Sequence, residues 1–206
     1  GAAGVWSSEH DTPLTLGALP LGQQLQAALF QSVTTRTAGF ATVPQENLRN
    51  PTALLSLLLM FIGGSPVGTA GGVKTVTVVV LATSALAAIR NKRDTVLFHR
   101  TVPRQAVAKA VAVTGMSFAI CFLSTLLLSA AADANALDIL YEAVSATATV
   151  GLTRGLTPTL SAWGKLIIIV TMYLGRVGPI SLAIVFGTRR QSENLIKEPT
   201  EEISVG

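Results

Sequence analysis

Charge is scarce in this sequence. Only 13% of its 206 residues are charged, half are hydrophobic, and the mean hydropathy is +0.55. That balance excludes an ordinary soluble domain and identifies a membrane protein. Cysteine is almost missing: the single Cys121 excludes an internal disulfide or a cysteine-based metal cluster, and inside its apolar run it reads as lipid-facing or packing. Histidine is limited to His10 and His99, placed in loops on opposite sides of the membrane. No group of His, Asp, Glu and Ser converges at one depth, so the chain is not read as an enzyme. Residues at the start show no basic n-region, apolar h-region and cleavage site and are not expected to act as a signal peptide. An initiator methionine is also absent, and residues 1–6 read as the tail of an apolar helix leading into a polar run at 7–12 with Glu9, His10 and Asp11. The chain is therefore expected to begin partway through a repeat of something longer, with His10 a solvated loop residue.

The charge that is present has a pattern. A net charge of +4 and a pI near 9.6 would suit a nucleic-acid partner. Yet the basic residues gather between apolar spans: Arg90, Lys92, Arg93, Arg100, Arg104 and Lys109 stand against Asp94 alone. The positive-inside rule explains that cluster as a cytoplasmic loop, and no nucleic acid is called for.

Two threonine-rich strips organise the rest. Residues 31–42 read QSVTTRTAGFAT, and 143–153 read AVSATATVGLT. Thr149, Val150, Gly151 and Leu152 follow the order in which potassium pores present backbone carbonyls to a dehydrated ion. Thr37, Ala38, Gly39 and Phe40 are a looser copy. Glycine suits such a strip because it accepts positive φ without steric cost. A shift of 112 residues places Gly39 on Gly151, and Met60, Phe61, Ile62 and Gly63 on Met172, Tyr173, Leu174 and Gly175. Two landmarks in one register imply an internal repeat.

Residues 21–36 carry apolar positions at helical spacing but are too few and too polar to cross the hydrocarbon, which takes about 20 residues. A re-entrant half-helix fits, and the non-helical backbone after it must be buried in protein or line a water-filled path. Residues 51–89 carry Lys74 as their only charge. As one straight helix they would run ~58 Å, about twice the hydrocarbon thickness, so the segment must break. Gly63, Gly64, Ser65, Pro66, Val67, Gly68, Thr69, Ala70, Gly71 and Gly72 write that break as an intramembrane loop. Lys74 lies just past it, and either serves the ion path or snorkels or bonds loop carbonyls. Residues 68–75, GTAGGVKT, imitate a Walker A loop, but valine precedes Lys74 where glycine is required and an apolar helix precedes the loop where a strand should be.

Residues 110–132 are 23 uncharged residues and form the clearest membrane helix, crossing outward. Asp133, Asn135 and Asp138 mark the far side, where carboxylates near a pore mouth concentrate cations or merely satisfy orientation. A second short re-entrant helix, 137–147, contains Glu142. Residues 161–188 return to the cytoplasm, anchored by Arg189 and Arg190. Arg176, between Gly175 and Pro179, costs at least ~2.5 kcal/mol in mid-membrane and must face water, a carboxylate or carbonyls. It is read as a brake below the filter, with a structural ion pair as the plain alternative. Residues 191–206 read as a solvated cytoplasmic tail.

The order of half-helix, TTRTAGF strip, GGSPVGTAGGVKT loop, TVGLT strip and membrane GRVGP resembles the Trk/Ktr/HKT superfamily of potassium transporters, KtrB-type membrane subunit, over essentially the whole chain. The resemblance implies an all-α membrane protein of helix–pore-loop–helix repeats, four around one pore, with this chain supplying the last two. Residues 1–90 would be the third repeat, with its first helix truncated and its second, 51–89, broken at 63–72; 91–109 a cytoplasmic basic loop; 110–190 the fourth repeat; 191–206 the tail.

It further implies a filter at Thr37, Ala38, Gly39, Phe40 and Thr149, Val150, Gly151, Leu152. The gate would be built from Gly63, Gly64, Ser65, Pro66, Gly68, Thr69, Ala70, Gly71, Gly72, Lys74 and Arg176. Potassium would be held only at filter carbonyls, with no covalent cofactor and sodium open as a coupling ion. A homodimer in cell-membrane lipid, the C-terminus cytoplasmic, and a cytosolic nucleotide-binding regulatory ring of the KtrA/TrkA type complete the implication.

Against the pattern, Val67 and Gly68 stand where glycine and serine are expected. Arg154 stands just outside the filter in place of a small residue, and a cation there would lower conduction. Arg36 matches, as a brace behind the filter. The other reading is a secondary carrier moving sodium by alternating access, which also uses broken helices; two filter-like strips in one register favour a channel-like path. Dimerisation of two half-chains into a four-fold pore is disfavoured by the truncated start.

Overall fold

A computed structural model of the chain describes residues 1–65, 70–92, 94–97 and 100–177. Expectations for Pro66, Val67, Gly68, Thr69, Arg93, His99, Pro179, Arg189, Arg190 and the tail lie outside the described residues.

The fold is mostly helical: α1 (Ala2–Glu9), α2 (Leu21–Thr34), a 3-10 turn (Gln45–Asn47), α3 (Asn50–Phe61), α4 (Thr75–Ile89), α5 (Arg104–Ala131), α6 (Ala136–Thr147), α7 (Leu156–Thr159) and α8 (Ala162–Val177). Between α4 and α5, β1 (Val96–Leu97) and β2 (Arg100–Thr101) form a short antiparallel hairpin. The 112-residue shift expected from the strips aligns the elements as well. Asn50, where α3 starts, falls on Ala162, where α8 starts, and the 3-10 turn falls on α7. The first half-helix ends at Thr34, two residues short of the expected end, and the second begins one residue early, where the Asn135 side chain accepts from Leu137 N at 3.0 Å.

The segment 51–89 is broken as its glycines and proline require. α3 stops at Phe61 and α4 starts at Thr75. The loop between them is closed at its neck, with Gly63 N donating to Val73 O at 2.9 Å and Val73 N to Phe61 O at 3.0 Å. Among the described residues α5 is the one helix long and apolar enough to cross a membrane by itself. It begins six residues before the uncharged run, at Arg104 after Pro103, so part of the expected 91–109 loop is helix and part is hairpin. Apolarity marks where hydrocarbon begins, not where helix begins: proline is tolerated at a helix start, and Arg, Gln, Ala and Lys propagate a helix in water.

The two repeats share a core. Leu57 and Met60 of α3, Cys121 of α5, Tyr141, Val144 and Ala148 of the second half-helix, and Val150 and Leu152 of its strip are all buried together. Cys121 is therefore a packing residue, not a lipid-facing one. A second cluster joins α5, α6, α7 and α8 through Leu128, Ile139, Leu156 and Ile168. A third joins α1 to α2 through Val5, Leu16, Ala28 and Leu48. Outward-facing Leu54, Val79, Phe118, Phe122, Leu166 and Ile169 remain exposed, as a surface bathed in lipid requires.

Glu9, to which the sequence reading assigned no role, is buried. The polar run contains α1's last turn, and Glu9 is 0% exposed. Its carboxylate accepts from Thr15 Oγ1 at 2.6 Å, Thr52 Oγ1 at 2.5 Å and Arg49 N at 2.9 Å, closing the N-terminus of α3. His10, beside exposed Asp11 at 3.0 Å, is the loop residue expected. Glu9→Ala strips three donors of their acceptor. We expect it to lower unfolding free energy by about 3 kcal/mol, and Glu9→Gln by about 1 kcal/mol. Thermal unfolding of the purified full-length protein in detergent checks this, and equal midpoints for wild type and Glu9→Ala would contradict it.

Candidate functional site

α2 and α6 each hand over to a strip with the same backbone signature. Thr37 and Gly39 have φ of 73° and 76°; Thr149 and Gly151, at the same repeat positions, have 54° and 94°. Threonine is β-branched, and positive φ is a strained state for it, costing about 1–3 kcal/mol per residue and persisting only where the surroundings impose it. Here they do. Thr34 Oγ1 donates to Phe40 O at 2.6 Å, turning the far end of the first strip back onto its half-helix. In the second, Val150 N donates to Ser145 O at 2.9 Å and Gly151 N to Ser145 Oγ at 3.2 Å. A strip that revisits left-handed φ at alternate residues can offer carbonyls along one side, which is the chemistry a dehydrated cation needs.

The strips touch. Thr37 Oγ1 donates to Ala148 O at 3.4 Å, and a Cβ added at Gly39 would lie 2.2 Å from Val150 O. Thr149 Oγ1 is buried, with no hydrogen-bond partner among the described residues. At Gly151 a Cβ would meet nothing within 4 Å. One strip glycine is therefore required by φ and by a close approach, the other by φ alone.

Residues 63–65 and 70–72 bring the loop between α3 and α4 to the same place. Gly71 N donates to Thr37 Oγ1 at 3.2 Å, and a Cβ at Gly71 would lie 2.4 Å from Ala148 O. The loop thus contacts both half-helix ends. Lys74 donates to Ala70 O. Arg36 Nη1 donates to Gly63 O at 3.1 Å and braces the loop's neck. Gly63 and Gly71 are thereby tied to the first strip, and Gly71 also lies against Ala148 and Thr149 of the second. Arg176 lies in the last turn of α8, one residue past Gly175, whose Cβ would meet Thr147 O at 2.2 Å. Its position is thus next to the end of the second half-helix.

Behind the strips runs a polar network that the sequence did not announce. Gln31 and Gln45 exchange side-chain amide bonds of 2.6 and 3.1 Å, and the Tyr141 hydroxyl donates to Gln45 Oε1 at 3.1 Å. Glu142 accepts from Thr153 Oγ1, from Thr157 N at 3.2 Å and from Thr157 Oγ1 at 2.9 Å. Arg154 is not an open cation at the outer mouth. Its Nε pairs with Asp138 Oδ1 at 2.7 Å, its Nη1 donates to Gln45 O and Leu48 O at 3.1 and 3.2 Å, and its guanidinium lies 5.9 Å from the Tyr141 ring centre. Asp138 is thereby occupied too. Among the described residues no group of three or more His, Cys, Asp or Glu side chains could hold a metal ion.

A family model described as TrkH, cation transport protein, matches residues 6–198. The Ktr system potassium uptake protein B of Bacillus subtilis is 42% identical over 202 residues, covering 98% of this chain and 45% of that protein. Its counterpart in Vibrio alginolyticus is 39% identical, covering 98% and 44%. The potassium/sodium uptake protein NtpJ of Enterococcus hirae is 34% identical, covering 94% and 44%. The chain spans about half the length of the curated relatives it matches.

The unequal surroundings of the two strip glycines predict unequal variants. Gly151→Ala faces φ strain alone, about 1–2 kcal/mol, whereas Gly39→Ala adds a clash with Val150 O and should cost clearly more. Melting midpoints of the two purified variants give the order, and the reverse order would refute this account of the strip contact.

Proposed function

The chain belongs to the TrkH cation transport protein family, and from that premise we propose that it is part of the pore-forming subunit of a potassium uptake system. Thr37, Ala38, Gly39 and Phe40 with Thr149, Val150, Gly151 and Leu152 supply two arms of a filter whose carbonyls replace the ion's water. The observation that carries this reading is the repeated left-handed Thr-x-Gly backbone, 112 residues apart, with the two copies in contact. The relatives' names, potassium uptake proteins in two cases, support the choice of ion.

Within that reading, residues 1–90 and 110–190 are two of four repeats, 91–109 faces the cytoplasm with the C-terminus, and the loop 63–72 with Lys74 and Arg176 gates the path. An apolar stripe on α2 supports the further repeats: Leu21, Leu25, Leu29 and Val33 are all at least half exposed, and in a four-repeat ring a neighbouring repeat covers them. The subunit works as a homodimer in the cell membrane under a cytosolic nucleotide-binding ring. The name of NtpJ, a potassium/sodium uptake protein, favours a second reading in which sodium is carried or coupled.

Rubidium uptake by potassium-uptake-deficient cells expressing the full reading frame tests the proposal. Gly151→Asp should abolish uptake, and Arg176→Ala should retain or raise it. No wild-type uptake above empty vector, or normal uptake by Gly151→Asp, rejects the pore. Uptake that requires external sodium moves the coupled reading ahead.

A further inference from the structure

We propose that Arg154 is a positioning residue for ion selectivity, a clamp that fixes the gap between the outer ends of the two strips. The inference rests on the reading of those strips as the ion path. Arg154 lies three residues beyond Gly151. Its Nη1 reaches the carbonyls of Gln45 and Leu48, six and nine residues beyond Gly39 in the other repeat. One guanidinium thus ties the outgoing segments of both strips, and Asp138 at 2.7 Å aims it from α6. The strips also meet where Thr37 bonds Ala148 O. Held at that contact and by Arg154 beyond, they cannot splay independently.

The charge of Arg154 is spent internally. Its side chain is only 9% exposed, with a carboxylate, two carbonyls and the Tyr141 ring around it. A planar fork of donors satisfies several acceptors at once, which an ammonium on a flexible stem does not reproduce. Selectivity that depends on the spacing and number of carbonyls responds to such a brace, whereas an open cation at the mouth would act on rate through charge.

These two roles give opposite signs. If Arg154 repels entering cations, Arg154→Gln raises rubidium uptake and Asp138→Asn, by uncovering the charge, lowers it. If Arg154 clamps, both variants relax the same gap. The experiment measures the half-saturation constant for rubidium and the inhibition constant for sodium in potassium-uptake-deficient cells expressing the full reading frame with Arg154→Gln, Arg154→Lys, Asp138→Asn and the Gln/Asn double variant. The ratio of the two constants does not depend on how much protein reaches the membrane, so a purely structural defect leaves it unchanged.

The clamp predicts that each single variant lowers rubidium-over-sodium discrimination by about three- to tenfold, and that the double variant is no worse than the worse single one, as expected for residues acting through one contact. Arg154→Lys should behave like Arg154→Gln despite keeping its charge. A wild-type ratio in Arg154→Gln, or opposite shifts in Arg154→Gln and Asp138→Asn, overturns the inference while leaving the pore intact. Absence of wild-type uptake overturns the pore reading itself.

Discussion

Backbone that leaves a helix within a hydrocarbon layer must find partners for its N–H and C=O groups inside the protein, because lipid offers none. On the proposed reading the two strips and the loop between α3 and α4 are three such departures, and the described residues around them supply internal partners. Ser145 serves the second strip with its carbonyl and its hydroxyl, while Thr34 holds the end of the first. Thr37 joins strip to strip and strip to loop. Arg36 and Lys74, whose charges would be costly at the membrane depth proposed for them, are bonded to loop carbonyls. Polar side chains in the interior thus do for irregular backbone what helical hydrogen bonding does elsewhere.

The sequence exposed those departures and hid most of their partners. Glycine and proline crowd the break in 51–89, and no straight helix of that length fits a bilayer, so the break could be read by arithmetic. The repeat was legible from Gly39 and Gly151, and the structure adds that Thr37 and Thr149 share their left-handed geometry. Composition could not flag this, since threonine avoids positive φ unless its neighbours compel it. Arg154 bonds a carbonyl 109 residues away, and Glu9 closes a helix 40 residues on. Pairings over such separations leave no periodicity behind. An arginine beside a strip read as an open charge until folding brought its partners in.

The repeats are alike in backbone and unlike in surroundings. Tyr141 and Leu29 occupy equivalent positions of the two half-helices, yet Tyr141 is wholly buried while Leu29 is 60% exposed. Tyr141 has α3 against it, with Leu57 and Met60 in the same cluster; nothing among the described residues covers Leu29. The repeat therefore sets the path of the chain, and contact with an adjoining repeat decides which of its faces becomes interior.

The paired neck of the loop between α3 and α4 has a mechanical consequence. Phe61, Gly63 and Val73 are joined by two backbone hydrogen bonds, so the ends of α3 and α4 are stitched together below the glycines. The separation of the two helices at this end is therefore set by that pairing and not by the residues looped out between Gly63 and Val73. A substitution or a change of length in that span would leave the wall formed by α3 and α4 where it is.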